Sequence, residues 1–393
     1  MKVVTSCLTR FWIFDQAYQL HRLGFLHRLI QGYPKKYTRK WLLPDDKVIT
    51  CLFNGLLIRL VNALPPFFQS LCMEFCHENF GSRLANSIPK DADIFIGLSS
   101  FSLEAIKQAK KMGIISIVDH GSLHLEYENK LMKIELARLG LDYQGRIAEK
   151  WIIDRENLEF KLADFIMVLS QKAKETLTDR GISPQKIFVN SCGVDISKFK
   201  PMPAAAKNKF RIVYCGSITP RKGLHHLLQA YHEMSLPNSE LLIIGNITDL
   251  EYFERLKKYQ SKSINFNGPC PQNDLPRLYA KGSIFILPSI ADGFGMVVTQ
   301  ALACGLPAII SSNVGAKDII TEGINGYVIA PGDIEAMKKR IMRLYSDEKL
   351  LKNMSLSALE TSVTNMTWDA YGDRLGQFLA HKLMELKVNR ISP

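Results

Sequence analysis

At 393 residues the chain is longer than one hydrophobic core normally serves, so two domains are expected. A hydrophobic content of 47% and a charged content of 22% exclude a collagenous, low-complexity or disordered chain. The net charge is +12, and residues 1–60 hold 10 Lys/Arg against 3 Asp/Glu, so more than half of the excess lies in the first sixth.

In chain order, "VVTSC" (3–7) reads as a short strand and "FDQAYQLHRLG" (14–24) as a helix stopped by Gly24. "LHRLIQGYP" (26–34) leads into a loop. The loop continues as "PKKYTRKW" (34–41), basic residues interleaved with Tyr37 and Trp41. Such a patch fits an anionic membrane surface, each basic residue near the lipid contributing about 1 kcal/mol; a solvated loop is the alternative. No recognition motif for nucleic acid accompanies it, and no nucleic-acid partner is expected. The most apolar segment, "ITCLFNGLLIRLVNALPPFF" (49–68), is interrupted by Asn54, Arg59 and Asn62 and ended by Pro65-Pro66. It falls short of the roughly 20 uninterrupted residues of a spanning helix, so a buried or interfacial amphipathic helix is expected. "CMEFCH" (72–77) sets Cys72 and Cys76 on one helical face beside His77. Without a second ligand pair at suitable spacing, this is a packed helix face. The eight cysteines are scattered and "MKVVTSCLTRFW" has no signal-peptide core, which fits reduced thiols in a cytoplasmic protein.

Strand "DIFIGLSS" (93–100), helix "SLEAIKQAKKMG" (102–113) and strand "IISIVDHG" (114–121) follow, then a long charged helical region. "KLADFIMVLS", helix "QKAKETLTDRG" and strand "KIFVNS" close the first half. "GVDISKFKPMPAAAKNK" (193–209) has no periodicity and reads as a linker. The second half alternates again, from strand "FRIVYCGS" (210–217) to the helix "DIEAMKKRIMRLYSD", with final helices at 348–363 and 368–387. The expectation is α/β: two Rossmann-like, doubly wound domains facing across a cleft. Residues 1–196 would bind acceptor, 197–208 link, and 209–367 bind donor. The helix at 368–393 either finishes the second domain or crosses back to the first.

In such folds ligands sit beyond the carboxyl ends of the strands. After "FRIVYCGS" comes "GSITPRKGL" (216–224), with Gly216 followed by Arg221 and Lys222 at a helix start. Free N–H groups, a guanidinium fork and a point charge suit a diphosphate. In "SIADGFGMVVTQALACG" (289–305), Gly293 and Gly295 bracket Phe294 ahead of the helix from Met296, leaving bare main chain for a ligand. Asp292 can accept from sugar hydroxyls and stabilise positive charge at a sugar carbon. Gln300 points back along its helix toward a ribose or base edge. Pro288-Ser289 and the loop 267–275 could supply main-chain contacts to a base. Asp91-Ala-Asp93 could suggest a metal–diphosphate site, but it precedes a strand and reads as the turn into it.

These motifs, with "GVDISKFKP", resemble the family-four (group 1) glycosyltransferases of GT-B fold, densely over residues 190–345 and in the first half only through the strand–helix plan. The resemblance implies that Arg221 and Lys222 hold the donor diphosphate, with Gly216, Gly293, Phe294, Gly295 and Met296 around it. The family pattern is Glu-x7-Glu. Here Asp292 stands first, keeping the charge with shorter reach, and Gln300 stands second, at the ribose position, without the charge. The family also implies a histidine after a central strand near the reacting sugar. His120 matches that position and His124 follows it, while Asp119 could orient the ring or bind acceptor. The implied activity is metal-independent transfer of a hexosyl unit from a UDP- or GDP-sugar, with retention by front-face attack and no cofactor. The acceptor would be a saccharide or glycolipid in cell-surface polysaccharide or lipopolysaccharide assembly, selected by first-domain loops at 9–16 and 33–47. The setting would be cytoplasmic, resting on the inner membrane face through residues 34–41. The alternatives are a GT-B sugar-nucleotide epimerase and a degenerate nucleotide-sugar binding module without turnover.

Overall fold

Runs of β-branched and aliphatic residues between amphipathic helices produce strands buried on both faces. In the computed structural model, residues 1–8, 12–202 and 209–391 are described, those at 66–67, 365 and 386–391 by backbone alone. The first sheet comprises β1 (Val3–Cys7), β2 (Leu26–Gln31), β3 (Val48–Thr50), β4 (Ile94–Leu98), β5 (Ile115–His120), β6 (Phe165–Val168) and β7 (Ile187–Val189). The second comprises β8 (Phe210–Cys215), β9 (Ser239–Ile244), β10 (Ile264–Gly268), β11 (Ile284–Leu287), β12 (Ala308–Ser311) and β13 (Gly326–Ile329). Their orders are β3-β2-β1-β4-β5-β6-β7 and β10-β9-β8-β11-β12-β13, with the strand pairs parallel. Each order reverses once, at β1/β4 and at β8/β11, and a reversal opens a crevice at the carboxyl ends of the two strands.

Three local readings change. The segment 26–31 is strand β2, paired with β1 from Val3↔Leu26 to Cys7↔Gln31. His27 and Arg28 are half-buried within it, so its alternation is blurred. The apolar segment 49–68 is divided among β3, helix Leu52–Asn62 and the start of helix Pro66–Ser87. Of the two alternatives, buried or interfacial, full burial does not hold: Leu52, Phe53, Leu56, Leu60, Leu64 and Phe68 are exposed. The charged region is two helices, Leu125–Leu139 and Lys150–Leu162, and several of its charges are interior: Glu128, Glu135, Arg155, Glu156 and Glu159 are all buried.

Other readings have a plain structural basis. Asp91 pairs with Lys2 and His27, and Asp93 accepts from the Lys2 main chain, so the Asp-x-Asp residues tie down the base of β1 and β4. His77 is buried, stacked on Phe101 with Nδ1 2.9 Å from the Ser100 carbonyl, and Cys76 lies buried beside it. The final helix Trp368–Ile391 packs on helix Ile13–Arg22, where Gln19 donates to Asp369 and Arg22 pairs with Asp373. The chain therefore passes between the sheets twice. The two passages touch: Val194 and Thr367 form a parallel bridge, and the Val194 amide donates to the Met366 carbonyl at 2.7 Å. Of the expected linker, residues 203–208 lie outside the described residues, as do residues 9–11 of the first acceptor loop.

Candidate active site

The β8/β11 reversal brings together groups that lie 70 residues apart in sequence. The turn after β8 is a tight one, Pro220–Lys222, closed by Gly223 at φ +66°. Glycine is required there twice over: the left-handed backbone favours it, and a Cβ would sit 2.1 Å from the Pro288 carbonyl oxygen. The turn is pinned to the β11 loop, as the Ile290 amide donates to the Arg221 carbonyl at 2.8 Å and Arg221 Nη1 to the Ala291 carbonyl at 3.1 Å. Lys222 Nζ forms an ion pair with Asp292 Oδ2, both side chains nearly buried. Burial works to raise the Asp292 carboxyl, but the Lys222 and Arg221 charges and the Phe294 amide outweigh it and hold Asp292 below the usual carboxylate range. Burial depresses the Lys222 ammonium in turn.

The segment after Asp292 is held by main-chain contacts. Asp292 bridges Val314, and the Gly315 amide donates to the Asp292 carbonyl at 3.0 Å. Gly295, at φ +84°, caps helix Met296–Ala303, whose first amides lack intrahelical partners. Gly293 has a different use from the one expected. A Cβ there would lie 2.1 Å from the Gly121 carbonyl oxygen and 2.7 Å from Ser122 Cα, so its bareness lets the first domain's main chain close on the second's. Ser170 of the first domain donates to the Gly293 carbonyl at 2.8 Å. Phe294 is a core side chain, 2% exposed, with its carbonyl taken by the Ala316 amide.

Gln300 and Met296 line a cavity of about 740 Å³ bounded by both domains and the passages between them. Lys40 and Trp41 line it from the first domain, Val194 and Asp195 from the passage, and Gln272 and Asn273 from the loop after β10. Its size is that of a small-molecule site. Gln300 is buried and its Oε1 has no hydrogen-bond partner among the described residues, an unsatisfied acceptor in the wall of the cavity. Lys40 and Trp41, read from sequence as membrane-facing, thus partly face inward, and Trp41 donates to Asp15 at 2.9 Å.

Several expected site residues lie elsewhere. Pro288 and Ser289 are buried, the Pro288 carbonyl against Gly223 and the Ser289 carbonyl accepting from Ser311, so neither lines the cavity. Gly216 shapes the turn through its carbonyl, which lies 1.9 Å from where a Gly245 Cβ would stand. His120 is 1% exposed, with Nδ1 3.0 Å from Ser99 Oγ and its ring edge-on to Phe160, and burial pushes it down to about 4. It is the main chain of the next two residues, Gly121 and Ser122, that reaches Gly293. His124 caps helix Leu125–Leu139, accepting from the Glu126 amide, and its Nε2 meets Asn157 in a separate pocket with Lys161 and Arg180. Asp119 does not orient His120: its Oδ2 accepts from Trp12 at 2.9 Å and Gln16 at 3.2 Å. Sequence reasoning missed Glu128, a buried carboxyl that accepts from the Leu123 amide and lies within the field of Arg221, Lys222 and Asp292. Burial raises it, and the two cations oppose the shift. It also missed Asn313, which donates to the Ile290 carbonyl and meets Tyr127 across the domains.

Residues 195–360 match the sequence model of the glycosyl transferases group 1 family. The chain is 27% identical over 208 residues to a GDP-mannose-dependent alpha-(1-6)-phosphatidylinositol monomannoside mannosyltransferase of Mycolicibacterium smegmatis, covering 48% of this chain and 54% of that one. It is 25% identical over 228 residues to an Escherichia coli UDP-Gal:alpha-D-GlcNAc-diphosphoundecaprenol alpha-1,3-galactosyltransferase, covering 53% and 57%. The chain therefore spans little more than half the length of these relatives. The crystal structure of Anabaena HepE with UDP and glucose superposes with a TM-score of 0.71 at 16% identity, covering 97% of this chain and 100% of that one. The family match thus covers residues 195–360, which hold the second sheet, and the two parallel sheets have the GT-B fold of the solved neighbours.

Proposed function

We propose that the chain transfers a hexosyl unit, with retention, from a UDP- or GDP-sugar to a saccharide or glycolipid acceptor. The observation that carries this is the buried Lys222–Asp292 pair with Arg221 on the same turn, Asp292 lying four residues before the helix whose Met296 and Gln300 line the cavity. A donor diphosphate would take Lys222 from Asp292 and accept from Arg221 and the free amides after Gly295, which stabilise charge as the diphosphate leaves. Asp292, so released, would be free to accept from a sugar hydroxyl or face the developing positive charge at the anomeric carbon. Gln300 would accept from a ribose hydroxyl, and the main chain at Gly121 would close the sugar side. The two cations supply the charge neutralisation for which other transferases use a metal, so the reaction is read as metal-independent. The leaving phosphate would take the acceptor's proton during front-face attack. The two relatives are named for glycosyl transfer to a phosphatidylinositol mannoside and to a diphosphoundecaprenol-linked sugar, which supports a glycolipid acceptor and cell-surface glycan assembly.

We infer further that the first domain rests on an anionic membrane surface, on the cytoplasmic side. No helix among the described residues is long and apolar enough to cross a bilayer. Helices Leu52–Asn62 and Pro66–Ser87 instead expose Phe53, Leu56, Leu60, Leu71 and Phe75, each more than half accessible. The excess positive charge of residues 1–60 supplies the complement to anionic headgroups.

A thermal-shift screen of UDP, GDP and their hexose conjugates tests the donor reading, since a bound ligand raises apparent stability by mass action. The expected hit is a nucleoside diphosphate whose effect falls with Gln300→Ala. Transfer is separated from isomerisation by incubating the protein with donor alone: isomerised sugar without an acceptor would mean an epimerase. No shift with any nucleotide would end the proposal.

A further inference from the structure

Away from the donor site, a second cluster joins the domains. Glu135 lies on helix Leu125–Leu139 of the first domain, and His225 and His226 open helix Leu224–Met234 of the second. Glu135 Oε1 is 2.6 Å from His225 Nε2 and 2.9 Å from His226 Nε2. All three residues are buried, and the ligand atoms they offer lie within 4.8 Å of one another. One carboxylate oxygen does not satisfy both rings. His226 Nε2, although close to it, makes no hydrogen bond of acceptable geometry among the described residues. The rings lean together at 44° with centroids 3.9 Å apart, so their outer nitrogens converge on the carboxylate. His225 is fixed from behind: Tyr252 Oη, on a fully buried tyrosine, lies 2.8 Å from Nδ1 and 3.1 Å from the His225 main-chain nitrogen. A hydrogen bond at the far ring nitrogen sets the tautomer and orientation of metal-binding histidines. Gly332 lies against the other ring, where a Cβ would be 3.3 Å from His226 Nε2.

We propose that Glu135, His225 and His226 bind a divalent ion of the zinc class, which staples the two domains in the arrangement seen here. Two imidazoles and one carboxylate form a zinc donor set that leaves a fourth position for water, the second Glu135 oxygen being 3.4 Å from Arg138 Nη1. The ion would have no part in group transfer. Its effect would be mechanical, because His225 follows Lys222 by three residues, and fixing it to Glu135 fixes the diphosphate turn relative to the first domain.

The test uses the full chain, stripped with a chelator and titrated with Zn²⁺ by calorimetry and with Co²⁺ by visible absorption. One equivalent of Zn²⁺ per chain is expected, with Co²⁺ giving the strong visible bands of a four-coordinate site. His226→Ala and Glu135→Gln should abolish stoichiometric binding. Tyr252→Phe, which keeps the buried ring, should weaken it by about 10–100-fold. Absence of a visible Co²⁺ spectrum in the unaltered chain would overturn the proposal whatever the variants do, as would stoichiometric Zn²⁺ binding undiminished in His226→Ala.

Discussion

Replacing Asp292 by asparagine removes the carboxylate ion-paired with Lys222, while Arg221 stays on the same turn and Glu128 remains in the field of both cations. Stripping one partner from a buried ion pair costs about 3–5 kcal/mol, and the low end applies because the amide can still accept from Lys222. With a thermal response of about 2–4 °C per kcal/mol for a domain of this size, the second domain should melt roughly 6–12 °C earlier. The diagnostic step is the addition of UDP. A ligand at a hundredfold excess over its Kd stabilises by about 2.7 kcal/mol, and in the variant its diphosphate need not displace a carboxylate from Lys222. The UDP-induced rise in melting temperature should therefore be larger for Asp292→Asn than for the unaltered chain at equal UDP, while transfer activity falls. Equal rises in both proteins, or a variant as stable as its parent, would refute the reasoning.

Gly293→Ala drives a methyl into the Gly121 carbonyl, so the domains should separate, seen as an increased radius of gyration by small-angle scattering with loss of transfer. Stability should vary with pH through two opposed sets of groups. Asp119 and Glu159 are raised to about 7 by burial, so their contribution is complete below the unfolded carboxyl range and is lost as pH rises through about 7. Burial lowers His77 and His120 to about 4, so theirs is complete above the unfolded imidazole value and is lost as pH falls through about 4. Thermal melts across this range should show Asp119→Asn flattening the alkaline side and His120→Asn the acid side. Phe53→Ser combined with Leu56→Ser should weaken binding to phosphatidylglycerol vesicles at least tenfold, since each buried side chain is worth about 1.5–3 kcal/mol. Sedimentation with anionic and neutral vesicles measures it, and unchanged binding would remove the membrane reading.

The strand–helix alternation was legible because core strands such as Ile94–Leu98 and Ile284–Leu287 are uninterrupted apolar runs. β2 was not, because His27 and Arg28 sit half-buried inside it. Arg221, Lys222 and Asp292 could each be picked out as charged residues near glycines at helix starts. That Lys222 and Asp292 are ion-paired could not, because the pairing depends on β8 and β11 being neighbours, a fact of strand order that no local pattern carries. Glu128 was hidden for a related reason: it reaches the second domain's cations from a helix whose charges look solvated in one dimension. The histidines show the converse limit. His120 is the last residue of β5 rather than the first of the loop, and its ring enters the core while the main chain of Gly121 and Ser122 meets Gly293.

The bridge between Val194 and Thr367 has a mechanical consequence. Two chain passages lie side by side at the waist of the molecule, and a Cβ on Gly193 would stand 2.5 Å from the Trp368 nitrogen. Passages joined in this way are coupled, so that neither crossing shifts without straining the other. A bulkier residue at 193 would push the two passages apart and, because Gly193 and Trp368 line the cavity, reshape that cavity from its wall.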